Sequence, residues 1–143
     1  MSTMRATISL QGGVRFTAEA GSGHTLIIDG PLEAGGENAG FRPMELMLLG
    51  LGGCLAYDVL MILRRMREDV TGYQLNLVGE RAEDPPSVYT TVTLEHIVTG
   101  KGISESSLKR ALSLAESKYC SASAMFAKTA RLIHTVRVIE AGT

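Results

Sequence analysis

Two thiols, Cys54 and Cys120, are the side chains in this sequence best suited to covalent chemistry. Positions 54 and 120 lie 66 apart, which fits neither a zinc-ribbon spacing nor a Cys-x-x-Cys motif. In a reducing compartment such a pair is inert packing or redox chemistry. Cys54 stands behind Gly50, Gly52 and Gly53 in an apolar stretch that reads as helix. Each glycine costs a helix about 1 kcal/mol relative to alanine, so three of them ask for a close approach of another backbone or a ligand to the sulfur. Cys54, Met47, Leu51, Met61 and Ile62 share an apolar side at helical spacing, with Asp58 one turn beyond the thiol. A buried, inert cysteine accounts for the same position. Cys120, in Lys118-Tyr119-Cys120-Ser121-Ala122-Ser123, follows one helix and is placed to start a shorter one, where a thiol is tuned toward thiolate. If the two sulfurs meet, one is oxidised to a sulfenic acid and the other resolves it as a disulfide. The spacing alone does not bring them together.

Other constellations are sparse. His24, His96 and His134 sit in strand patterns without an i+4 or cysteine partner, which reads as core or interface histidines rather than metal ligands. No nucleophile elbow, P-loop or dinucleotide fingerprint is present, and no cofactor or metal is expected. The polar residues that could serve a thiol site are Glu45, Asp58, Arg15 and Arg42. Glu45 also has an ordinary place in a first helical turn, where a carboxylate suits the helix dipole.

The elements that must position these groups alternate between two periods. Residues 5–10, 14–19 and 24–29 follow the period-2 pattern of half-buried strands, broken by Gly12-Gly13 and Gly21-Ser22-Gly23, which predicts an antiparallel meander. Residues 30–41 read as a surface loop, and Pro43 opens a helix at the position proline tolerates best. That helix is expected over 43–67, apolar on nearly every side of its first half, with Arg64, Arg65 and Arg67 suiting its negative pole. Residues 73–82 and 88–99 flank Asp84-Pro85-Pro86-Ser87 as a hairpin whose second strand puts Val92, Leu94, His96 and Val98 on one face. Ser104 caps a second helix with Leu108, Ala111, Leu112, Ala115 and Tyr119 on its inner stripe, and residues 131–140 form the last strand. The sum is an α+β fold of antiparallel sheets with a long central helix and a second helix. A helix this apolar needs more cover than one sheet and one helix give, which predicts a homodimer.

Composition agrees with one domain over 1–143. A 45% hydrophobic and 20% charged chain of 143 residues is neither disordered nor fibrous and buries a sizeable core. A net charge of -1 leaves no electrostatic footprint for nucleic acid or an anionic membrane. Residues 1–13 lack the apolar run of a secretory signal, which predicts a cytoplasmic protein. The greasy stretch 46–57 is interrupted by glycines and bounded by Glu45 and Asp58, which reads as a buried helix rather than a membrane span.

Arg42-Pro43-Met44-Glu45-Leu46 at the head of a long helix, Gly52-Gly53-Cys54 within it and Tyr119-Cys120-Ser121 after the second helix resemble the OsmC/Ohr superfamily, the osmotically inducible and organic hydroperoxide resistance proteins. Tyr57-Asp58-Val59 and Ile97-Val98-Thr99-Gly100 resemble a less characterised OsmC-like branch rather than the founding peroxidases. The resemblance implies an intertwined homodimer with two sites at its interface. It implies Cys54 as the peroxidatic nucleophile, Cys120 as the resolving thiol, and Met47, Leu51 and Met61 lining a pocket for the organic tail of a hydroperoxide. A dithiol reductant, a lipoyl protein or thioredoxin, would then reduce the disulfide. The family's glutamate directly follows the helix-opening proline, where Met44 stands here, and Glu45 comes one position later. Nine residues before Cys54, Glu45 falls on the opposite side of a straight helix from the sulfur, so it would serve a partner's site or none. The family's activating arginine would be Arg15 or Arg42. Two functions follow: a Cys-based peroxidase in oxidative or osmotic stress defence, or an OsmC-like dimer that binds a small hydrophobic ligand or senses redox state without efficient turnover.

Overall fold

The computed structural model describes residues 2–142, which divide into two compact units, 2–47 and 48–142. In the first unit, β1 (Ala6–Gly12), β2 (Arg15–Ala20) and β3 (Thr25–Ile28) form the expected antiparallel meander in that order. Every residue of β1 is exposed. The loop after β3 is organised by Asp29, only 2% exposed, whose carboxylate accepts the backbone N–H groups of Gly30, Glu37 and Ala39 at 2.8–3.1 Å. Burial pushes this carboxyl up, but the three N–H donors and the Arg15 charge outweigh it and hold it below the usual carboxylate range.

Helix α1 (Pro43–Arg65) begins at the proline, and the Glu45 carboxylate accepts the backbone N–H of Arg42 at 2.8 Å, satisfying a donor the helix leaves free. It stops two residues before the expected end, where Arg67 turns through a positive φ of 63°. At 23 residues α1 is long and apolar enough, by length and composition, to cross a membrane; the expectation from 46–57 counted only part of it. A third of that apolar window is buried within the chain.

From Leu48 onward the helix belongs to the second unit, with β4 (Asp69–Arg81), β5 (Tyr89–Lys101), α2 (Glu105–Leu114), α3 (Ser121–Phe126) and β6 (Arg131–Glu140). The β4–β5 hairpin forms as expected around the proline-rich turn. β6 does not complete an antiparallel sheet: it pairs parallel to β5, from Thr91 with Arg131 to Gly100 with Glu140. The helical segment between those strands carries the chain back to the start of the sheet, the crossover that parallel pairing requires. Ser104 caps α2 by accepting the Ser107 N–H at 3.1 Å, and Leu108, Ala111, Leu112 and Ala115 are buried.

The three glycines ahead of Cys54 have different surroundings. A Cβ on Gly52 would come within 2.8 Å of Leu77 Cδ1, so its bare backbone lets α1 settle on β4. A Cβ on Gly50 or Gly53 would meet nothing within 4 Å among the described residues. At about 100° per residue, the buried Leu51, Ile62, Leu55, Val59 and Leu63 fill an arc of about 120° on α1. The rest of the helix is not enclosed by its own chain: Leu49, Tyr57 and Met61 are exposed.

Candidate functional site

Cys54 lies about 60° beyond the Leu51 edge of the buried arc, and Asp58 about 20° beyond it, both half-buried at the boundary between core and surface. Cys120 reaches the same place from another direction. After α2 the chain makes a π-helical turn, Ala115–Tyr119, closed by the Cys120 N–H donating to the Ala115 carbonyl at 2.8 Å. Such one-residue expansions recur at functional positions, and this one ends with Cys120 as the N-cap of α3. It also rotates Tyr119 off the α2 stripe into partial exposure, which the strict 3.6-residue pattern does not foresee.

The two sulfurs lie 3.2 Å apart, the Cys120 thiol directed as donor to Cys54. Both are free cysteines, Cys120 buried and Cys54 half-buried. The Asp58 carboxylate and both sulfurs all fall within 4.8 Å of one another. The Cys120 sulfur accepts the Ser123 N–H at 3.3 Å. Burial pushes the Cys120 thiol up, the hydroxyl and N–H of Ser123 pull it down, and Cys54 raises it again. The Ser123 hydroxyl is itself buried and makes no well-formed hydrogen bond.

The remaining sequence candidates have local employment. Arg15 pairs with Glu37 at 2.9 Å, Arg42 donates to the Gly40 and Asp29 carbonyls, and Glu45 caps the head of α1. Leu51 has no exposed surface, while Met47 and Met61 are exposed. An apolar cleft of about 480 Å3 does occur in the first unit, walled by Ile8, Phe16, Ile28 and Pro43.

Sequence reasoning missed a second polar cluster. Tyr73, His96 and His134 make a diagonal row across β4, β5 and β6, and Glu116 of the π turn closes it. The Tyr73 hydroxyl lies 2.6 Å from His96 Nδ1, His96 Nε2 lies 3.0 Å from His134 Nδ1, and His134 Nε2 meets the Glu116 carboxylate. Burial raises the Tyr73 hydroxyl, so it stays protonated and donates. One order of donation then satisfies every atom with neutral imidazoles: Tyr73 to His96, His96 to His134, His134 to Glu116. An open cleft of about 500 Å3 lies at the outer end, lined by His134, Glu116, Lys109 and Glu105. The available signal was His96 on the apolar face of Val92, Leu94 and Val98, a buried ring that needs partners for both nitrogens.

A family model described as OsmC-like protein matches residues 35–135, a span that holds both cysteines and Asp58. The chain belongs to the OsmC-like family. This OsmC-like protein is 36% identical over 141 residues to Protein YhfA of Escherichia coli K12, covering 96% of this chain and 100% of that protein. A hypothetical protein from Aquifex aeolicus is similar in structure, with a TM-score of 0.87 and 27% identity over 99% of this chain and 100% of that one. An organic hydroperoxide resistance protein OsmC from Legionella pneumophila shares the fold, with a TM-score of 0.73 and 18% identity over 96% of this chain and 98% of that one.

Proposed function

We propose that this OsmC-like protein is a thiol peroxidase that reduces organic hydroperoxides through a reversible Cys54–Cys120 disulfide. The observation that carries this reading is the pair of sulfurs 3.2 Å apart, one reachable and one buried. In the first step the Cys54 thiolate attacks the O–O bond. A sulfur–oxygen bond forms, the alcohol leaves with a proton, and Cys54 becomes a sulfenic acid. In the second, the Cys120 sulfur attacks Cys54, the disulfide forms and water leaves. A dithiol reductant of the lipoyl or thioredoxin class returns both thiols, so one hydroperoxide and one dithiol give an alcohol, water and a disulfide. The burial of Cys120 suits a resolving thiol, which needs to meet only Cys54. The exposed Met61 and Tyr57, the neighbours of Cys54 toward the open side of α1, supply apolar surface for an organic tail. They belong to the open apolar side of α1 that a second copy would complete in a cytoplasmic homodimer, whereas Leu51, fully buried by its own chain, takes no part in that face.

The second reading, a dimer that binds a hydrophobic ligand or senses redox state without efficient turnover, draws on Arg15 and Glu45. Both are engaged within their own unit, and a peroxidatic thiol needs a cation or dipole to lower its pKa. The readings separate in variants treated with cumene hydroperoxide. Cys54→Ser abolishes turnover, and Cys120→Ser leaves a single-oxygen adduct on Cys54 that dimedone traps. Turnover that survives Cys54→Ser contradicts the peroxidase reading.

A further inference from the structure

We propose that Cys54, Asp58 and Cys120 also form a binding site for a thiophilic divalent cation of the zinc type, which caps the reduced thiols. The inference deepens the peroxidase reading as regulation of the same site; it rests on both thiols being reduced and on Cys54 being reachable, not on their turnover.

The donor set is two sulfurs and one carboxylate, all within 4.8 Å of one another. Soft thiolates with a harder oxygen are a zinc donor set rather than one for calcium or magnesium, which take oxygen ligands. The two supports are different in kind and both ordered: Cys54 and Asp58 lie one turn apart on α1, and Cys120 caps α3. From ordinary zinc–sulfur and zinc–oxygen lengths, tetrahedral coordination asks for sulfurs about 3.8 Å apart and a sulfur–oxygen separation of about 3.6 Å. The sulfurs stand at 3.2 Å, so a cation entering between them opens the pair by only about half an ångström. Three protein ligands at a half-buried position leave the fourth coordination place to water.

Independent support comes from Ser123. Its N–H is spent on the Cys120 sulfur at 3.3 Å, and its hydroxyl is 1% exposed without a hydrogen-bond partner. A neutral thiol is a weak acceptor and a thiolate a strong one, so the Ser123 N–H is aimed at a sulfur it would serve better as an anion. A divalent cation supplies the charge that favours the anion. On binding, each thiol gives its proton to solvent, two per cation, and two metal–sulfur bonds form. A capped Cys54 is withheld from hydroperoxide until the cation leaves.

Cobalt(II) tests this directly, because thiolate-bound cobalt absorbs by sulfur-to-metal charge transfer. Titration of the reduced full chain should develop that band to one equivalent per chain, and zinc should displace it. Cys54→Ser and Cys120→Ser should each reduce the band, and Asp58→Asn, with an unaltered circular dichroism spectrum and thiol count, should weaken binding at least about tenfold. Absence of the band in the wild-type chain, or unaltered affinity in Asp58→Asn, overturns the site. Failure of the peroxidase reading looks different: metal-free thiols persist in cumene hydroperoxide while the cobalt band still forms.

Discussion

His96 has no exposed surface and both ring nitrogens in hydrogen bonds, so its chemistry is fixed by its surroundings. Burial, and then the nearby His134, lower it from 6.5 to about 4. In the unfolded chain it takes up a proton near its ordinary value, whereas in the folded chain it stays neutral until about pH 4. The unfolded state therefore binds more protons in that window, and stability falls as pH drops from 6.5 toward 4, by roughly 2–3 kcal/mol. Urea unfolding at a series of pH values checks this. The midpoint of the wild-type chain should fall across that window, and the fall should shrink in His96→Leu. Asp29, held low, contributes its loss only below 3.8. Of the thiol site, the residue types were readable in the sequence, as was the single turn between Cys54 and Asp58. The meeting of Cys54 with Cys120 was not, because it depends on how a helix and a crossover pack. Nor were the local partners of Arg15 and Glu45, which are chosen among many carboxylates and backbone groups within reach of flexible side chains.

Among the elements, those with strong periodic patterns and turn chemistry were legible: the meander, the hairpin, the Pro43 start of α1 and the Ser104 cap of α2. The π turn was not, because one extra residue in a helix leaves no mark in composition. Neither was the direction of β6, since the same alternation serves parallel and antiparallel pairing. Gly52 separates close approach from simple tolerance. Its missing Cβ faces Leu77 at 2.8 Å and Leu75 at 3.6 Å, so Gly52→Val must push the Leu77 side chain aside or lift the helix from β4, and should cost about 1–3 kcal/mol by overpacking. Thermal denaturation measures this, and an unchanged melting temperature would mean that α1 and β4 do not pack as described.

Across the whole molecule, apolar surface is left over. Leu49, Tyr57 and Met61 on α1 and Ile8 and Leu10 on β1 are exposed, and monomers rarely display so many large side chains together on their elements. A second copy of the chain, as proposed above, would cover that surface and the open side of α1. Sedimentation of the wild-type chain at micromolar concentration should give a dimer, and Tyr57→Glu, which puts a charge on the open face of α1, should shift it toward monomer. A wild-type monomer at those concentrations would contradict the shared-face reading.

The most direct test of the central claim is to mix the fully reduced protein with one equivalent of cumene hydroperoxide and follow free thiols and intact mass from seconds to minutes. A Cys54–Cys120 redox pair should lose both thiols, drop in mass by two hydrogens per chain and recover with a dithiol. Persistence of both thiols at unchanged mass would contradict it.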